Sequence, residues 1–158
     1  MADAIAKHLA DVDPENAGDY RANAKDFNER LDDLDSEVED GLSDCSQTDL
    51  VTGHAAFGYF ADRYGFDQVA ISGLTPDSEP GSAVLADLIS HVKNEKVGTI
   101  YAETLVPTDL ADVIARDSGA SVKVLDPIAG LSEASAGDDY FEVMRSNLAT
   151  LREGQNCS

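Results

Sequence analysis

The chain has 158 residues, enough for one domain of ordinary size, and 42% of them are hydrophobic, so it can bury a core. Its formal charge of −20, from 31 acids against 11 bases, would repel the phosphates of nucleic acid and the headgroups of an anionic membrane. No apolar run approaches the roughly 20 residues of a membrane span, and the two cysteines, Cys45 and Cys157, are too far apart to make a zinc knuckle.

Met1 is followed by an acidic amphipathic stretch, not by a basic segment leading into an apolar run. The expectation is that an export signal has been removed or that the chain is part of a longer one. Residues 2–10 are predicted to be helical, with Ile5 and Leu9 on one side. Asp13, Pro14 and Glu15 then read as a helix start: a capping carboxylate, a proline at the first helical position and an acid in the first turn. From there Ala17, Tyr20, Ala24, Phe27, Leu31, Leu34 and Val38 recur at steps of three and four, one apolar stripe on a long helix that runs to about Gly41. The charges beside that stripe are nearly all acidic, so a parallel coiled-coil dimer would repel itself. A helix lying along a globular body is expected. The two cysteines would pair in an exported protein and stay buried thiols in one that is not.

From Cys45 onward, β-type runs at 49–53, 68–74, 97–104 and 121–125 are each followed by a helical stretch, at 55–64, 80–94, 108–118 and 138–153. Strict alternation predicts an α/β lobe with a four-stranded parallel sheet and right-handed crossovers. Ligands bind such sheets beyond the carboxyl ends of the strands. Those ends are Gly53-His54, Leu74-Thr75, Glu103-Thr104 and Asp126-Pro127.

His54 falls where the first strand meets the first helix, and Gly53 before it permits close approach of another group. A helix N-terminus disfavours positive charge, which keeps the imidazole neutral, the form a metal requires. The same dipole opposes a bound cation, so a carboxylate would have to compensate. Asp126, held extended by Pro127, could supply it. The local alternatives are a histidine that caps the helix and an Asp-Pro that forms a turn. Glu103 either supports a ligand or accepts from loop amides, and His8 and His91 read as exposed. There is no GxGxxG after a strand, no Walker loop and no GxSxG elbow. No enzyme is expected, and acid/base chemistry by His54 and Asp126 ranks last among the readings.

The stretches HAAFGYFADRYGF at 54–66, ISGLTPDSEPG at 71–81, IYAETL at 100–105, VLDPIAG at 124–130 and DDYFEVMRSNLATL at 138–151, preceded by ADAIAKHLADVDPENAGDYRANA at 2–24, together resemble the zinc and manganese substrate-binding proteins of bacterial ABC importers. The resemblance covers nearly the whole chain in the family's order. It implies a two-lobe receptor with metal between the lobes, of which this chain is the C-terminal half. Residues 1–44 are then the lead-in and long interlobe helix, and residues 45–158 the C-terminal α/β lobe. It implies two metal ligands here: His54, which opens the HxAFGYF motif, and Asp126, the acid of the LDP motif. Glu103 is a candidate support behind them.

Two further histidine ligands would come from the missing N-terminal lobe. Three imidazoles and one carboxylate suit Zn2+, with Mn2+ as the alternative. The implied partners are the membrane permease of an ABC importer and the missing lobe. The implied location is extracytoplasmic, in the periplasm or at the cell surface, with a lipid anchor on the full-length protein. The alternative is a surface lobe for adhesion or partner docking, without metal binding of its own. A Cys45–Cys157 disulfide is also expected. Cys45 precedes the first strand, at the amino edge of the sheet, and the last helix, antiparallel to the fourth strand, returns Cys157 to that edge.

Overall fold

The computed structural model describes residues 1–74, 80–104 and 108–158, so the predicted strand end at Thr75 and parts of the 71–81 and 100–105 stretches lie outside the described residues. The chain divides into two compact units, Met1–Asp40 and Gly41–Ser158.

The first unit holds α1 (Ala2–Val12), a single 3-10 turn (Pro14–Asn16) and most of α2 (Ala17–Leu42). Pro14 has no N–H with which to continue α1. Asp13 fastens the turn, because its carboxylate accepts from the Asn16 side-chain amide and from the Tyr20 hydroxyl, both at 2.8 Å. These bonds hold the Asp13 carboxyl below the usual carboxylate range. The predicted helix start is thus split in two: Asp13 precedes the turn, and the long helix proper begins at Ala17. Within the expected stripe Ala24, Leu34 and Val38 are buried, whereas Phe27 is exposed.

The second unit is an α/β sandwich of β1 (Asp49–Thr52), α3 (Gly58–Tyr64), β2 (Asp67–Ala70), α4 (Ser82–Asn94), β3 (Thr99–Glu103), α5 (Asp109–Ser118), β4 (Ser121–Leu125) and α6 (Tyr140–Gly154). All strand pairs are parallel, in the order β2-β1-β3-β4. Alternation along each strand sorts the side chains onto two faces. Val51, Ile100 and Ala102 join Leu88 and Val92 of α4 and Ala111, Ile114 and Ala115 of α5 in one buried layer. Fully burying a valine, leucine or isoleucine side chain contributes about 1.5–3 kcal/mol, so this layer secures the strands to the two helices. Tyr101 and Glu103 belong to the opposite face, where the Tyr101 hydroxyl donates to Gln155 Oε1 just beyond α6, at 3.0 Å.

The amino edge of the sheet is closed by Gln155 and Cys157, just beyond α6. Cys45 and Cys157 form the expected disulfide. Gln155, fully buried, also donates from Nε2 to the carbonyls of Gln47 at 3.2 Å and Asp49 at 3.1 Å. Gly154 is required beside it, because a Cβ there would collide with the Tyr101 hydroxyl. Burial, with a smaller push from the Glu153 charge, raises the Tyr101 phenol above its ordinary value. His91 departs from expectation. It is half-buried, with Nε2 2.7 Å from Asp49 Oδ2, because α4 packs over the start of β1.

The strand order places the topological switch between β1 and β3. Neighbouring connections leave those two strands in opposite directions, which opens a crevice at their carboxyl ends. The residues that follow β1 and end β3 are therefore the ones presented to a ligand.

Candidate metal centre

His54 lies two residues beyond β1. Thr52 is registered opposite Tyr101, so His54 stands level with Glu103, the last residue of β3. It is not at a helix N-terminus. The Ala55 amide donates to the Gly73 carbonyl at 3.1 Å and the Ala56 amide to the His54 carbonyl at 2.9 Å. Residues 54–56 are thereby spent in a turn, and α3 starts only at Gly58, with Phe57 in the capping position. The group that faces the imidazole is Glu103, not a helix dipole.

Every polar group of the His54 backbone is held. Its N–H donates to Glu103 Oε1 at 2.9 Å. Its carbonyl accepts from Thr52 Oγ1 at 2.8 Å and from Gln68 Nε2 at 3.2 Å, and Gln68 Nε2 also reaches Thr52 Oγ1 at 2.8 Å. Gly53 makes room for the carboxylate, since a Cβ there would lie 3.0 Å from Glu103 Oε1. The close approach expected at Gly53 is thus an approach by Glu103.

The side chains repeat the pairing. His54 Nδ1 lies 2.5 Å from Glu103 Oε2, with the two side chains 15% and 1% exposed. Both atoms are buried, and neither has an aligned hydrogen bond to any group. A carboxylate against Nδ1 places the ring proton there and leaves the Nε2 lone pair for a metal. Zinc-ligating histidines are commonly oriented in this way by a carboxylate behind them.

Asp126 is the first residue past β4 and is only 5% exposed. Its N–H donates to Asn147 Oδ1 at 2.9 Å, and its carbonyl accepts from Asn147 Nδ2 at 2.8 Å. Its carboxylate accepts the Ile128 N–H on Oδ1 at 2.8 Å and the Ser135 hydroxyl on Oδ2 at 2.9 Å. The turn across Pro127 drives Ile128 to φ +57°, a left-handed conformation that is costly for a β-branched residue. The turn-forming role is therefore present. It does not exhaust Asp126, because each carboxylate oxygen still has a lone pair to offer.

His54 and Asp126 share the carboxyl edge, two strand spacings apart with Glu103 between them, which puts their backbones roughly 10 Å from each other. Glu103 and Asp126 line one cavity of about 570 Å³, together with Thr104, Thr108, Lys123 and Ser146. Among the described residues no three His, Cys, Asp or Glu side chains converge into a complete metal cage. One imidazole and one carboxylate, with an unsatisfied Nδ1–Oε2 pair behind the imidazole, fit half of a four-coordinate zinc site. Sequence reasoning missed the holders Thr52, Gln68 and Asn147. The available signal was a polar residue mid-strand in β2 and another mid-helix in α6.

The sequence model of the family described as ZnuA, zinc-uptake complex component A, periplasmic, matches residues 1–154. The zinc-binding protein AdcA of Streptococcus pyogenes serotype M6 is 43% identical over 150 residues, which make up 94% of this chain and 29% of AdcA. Among solved structures, the laminin-binding protein Lmb of Streptococcus agalactiae, described as bifunctional with adhesin and metal transporting activity, aligns with a TM-score of 0.86 and 35% identity. That alignment covers 96% of this chain and 58% of Lmb. A Zn(II)-bound variant of AdcAII from Streptococcus pneumoniae aligns with a TM-score of 0.84 and 30% identity, over 98% of this chain and 55% of AdcAII. The chain thus spans under a third of AdcA and somewhat over half of the two solved relatives.

Proposed function

This chain belongs to the ZnuA family of periplasmic zinc-uptake components, and we propose that it is the C-terminal half of an extracytoplasmic receptor that captures Zn2+ for the membrane permease of an ABC importer. Residues 1–44 serve as the lead-in and interlobe helix and residues 45–158 as the metal-facing lobe. The observation that carries the reading is the Glu103 carboxylate fixed behind His54 at the switch point of the sheet.

Zinc is the cargo, and His54 Nε2 is its first ligand on this half. Glu103 keeps the ring oriented and its proton on Nδ1. Asp126 brings the carboxylate that offsets the cation's charge. Two ligands leave the other half of the coordination sphere to the rest of the receptor, so the chain by itself binds weakly and releases readily. An imidazole-led set favours Zn2+ over the harder Mn2+. The role is capture and delivery rather than catalysis. The Cys45–Cys157 disulfide supports an oxidising location outside the cytoplasm, where a lipid anchor on the full-length protein would keep it near the permease. Calorimetric titration of the chain with ZnCl2 and MnCl2 tests this reading: zinc should bind and manganese should bind less. No zinc binding, or a preference for manganese, would reject it.

The likeness to Lmb supports a second reading, an adhesive lobe. Binding to immobilised laminin that survives His54→Ala would favour it.

A further inference from the structure

We infer that Asn147 is the positioning residue for the acid half of the metal centre, holding Asp126 as Glu103 holds His54; the inference rests on the proposed role of Asp126 as a ligand. Asn147 sits in the middle of α6 and is 6% exposed. Its side-chain amide pairs with the main chain of Asp126 in both directions, accepting from N–H at 2.9 Å and donating to C=O at 2.8 Å. This is the pairing that another strand would supply. β4 is an edge strand in the order β2-β1-β3-β4, and among the described residues no further strand lies on its outer side to hold its end. Asn147 provides that neighbour for one residue, at the position where the chain leaves the sheet.

The residue type follows from the geometry. A leucine, which has the same branched shape, would leave a buried N–H and a buried C=O without partners. An aspartate would keep an acceptor for the N–H but set a carboxylate oxygen against the carbonyl. Asparagine carries one donor and one acceptor on a short stem, which is what a peptide unit presents. It is also a poor helix former, prone to bond nearby backbone instead, so its place in mid-α6 costs helix propensity that the Asp126 pairing offsets.

With the backbone held by Asn147, only the carboxylate's own rotation remains free. Ile128 N–H and Ser135 Oγ restrain that rotation. A ligand ordered before the metal arrives loses less freedom on binding, and outer partners of this kind typically change metal affinity 10–100-fold.

The test is a ZnCl2 titration of the 158-residue chain followed by amide NMR, on wild type, Asn147→Leu, Asp126→Asn and the double variant. Asn147→Leu should weaken zinc about tenfold and erase the zinc-induced shifts of the Asp126 and Ile128 amides while the shift at His54 persists. The double variant should bind no more weakly than Asp126→Asn alone, because both changes remove the same contribution. A merely structural asparagine would instead add its loss to that of Asp126→Asn, and additive losses, or wild-type affinity in Asn147→Leu, overturn the inference. Wild-type zinc affinity in Asp126→Asn would overturn the ligand assignment beneath it, and this inference with it. If Asn147→Leu does not fold, Asn147→Asp takes its place in the same cycle with the same outcomes, and hydrogen exchange on the wild-type chain checks the pairing itself. The Asp126 amide should be protected like a strand interior, and exchange as fast as an open loop overturns the pairing.

Discussion

Glu103 meets His54 at two points: Oε1 accepts the His54 main-chain N–H at 2.9 Å, and Oε2 lies 2.5 Å from the Nδ1 of the same residue. One carboxylate thereby fixes the main chain of the proposed ligand and lies against its ring. Glu103→Gln keeps an acceptor for the amide but loses the charge that steers the ring proton. Zinc affinity should fall about 10–100-fold, measured by competition with a chromophoric chelator, while the circular dichroism of the chain is unchanged. Undiminished affinity would remove Glu103 from the site.

Gly53→Ala tests the same contact from the other side. The new Cβ would sit 3.0 Å from Glu103 Oε1, so the carboxylate has to withdraw. Gly53 is not among the glycines with positive φ, which are Gly65 and Gly119, so alanine fits its backbone, and the loss of stability should be about 1–3 kcal/mol, the cost of leaving the His54 N–H without its acceptor. Zinc affinity should fall as for Glu103→Gln. A variant with full affinity would show that the approach of Glu103 to residue 53 is incidental.

The sheet was legible because strand and helix alternate, and a parallel sheet gathers its strand ends on one edge. That rule put His54, Glu103 and Asp126 among the candidates, alongside Leu74-Thr75; the family resemblance then gave His54 and Asp126 their roles as ligands. Three features were not legible, each for a physical reason. The late start of α3 depends on where the amides of Ala55 and Ala56 find acceptors, and one of these, the Gly73 carbonyl, is on another loop. The grip of Glu103 on His54 spans 49 residues and follows from strand order and register, which local pattern does not encode. The pairing of His91 with Asp49, 42 residues apart, depends likewise on which helix covers which strand.

Tyr101 should give the lobe a specific alkaline weakness. Its phenol is raised above the ordinary 10.0 by burial and then by Glu153. Below pH 10 the phenol is neutral in both the folded and unfolded states and adds no pH dependence. Above pH 10 the unfolded tyrosine ionises while the folded one does not, so stability falls by up to about 1.4 kcal/mol per pH unit. Tyr101→Phe should be less stable at pH 8 by about 1–3 kcal/mol, because Gln155 Oε1 loses its donor. It should also show a shallower decline between pH 10 and pH 11 in urea melts. Parallel declines for the two proteins would contradict this assignment.

The disulfide and the proposed metal centre lie at opposite edges of the sheet, so they should be separable. Replacing both Cys45 and Cys157 with serine should cost about 2–4 kcal/mol in denaturant unfolding. Zinc affinity of the folded variant should stay within about twofold of wild type, the scatter expected for independent sites. A large loss of affinity in a folded variant would mean that the two edges are coupled.

His54 carries the proposed metal site, and one titration tests its role. The wild-type chain, with two ligands of its own, should bind Zn2+ in calorimetry with a dissociation constant of about a micromolar or weaker, and His54→Ala should abolish that binding without unfolding the lobe. A folded His54→Ala chain that takes up zinc as the wild type does would contradict the assignment of this crevice as a metal centre.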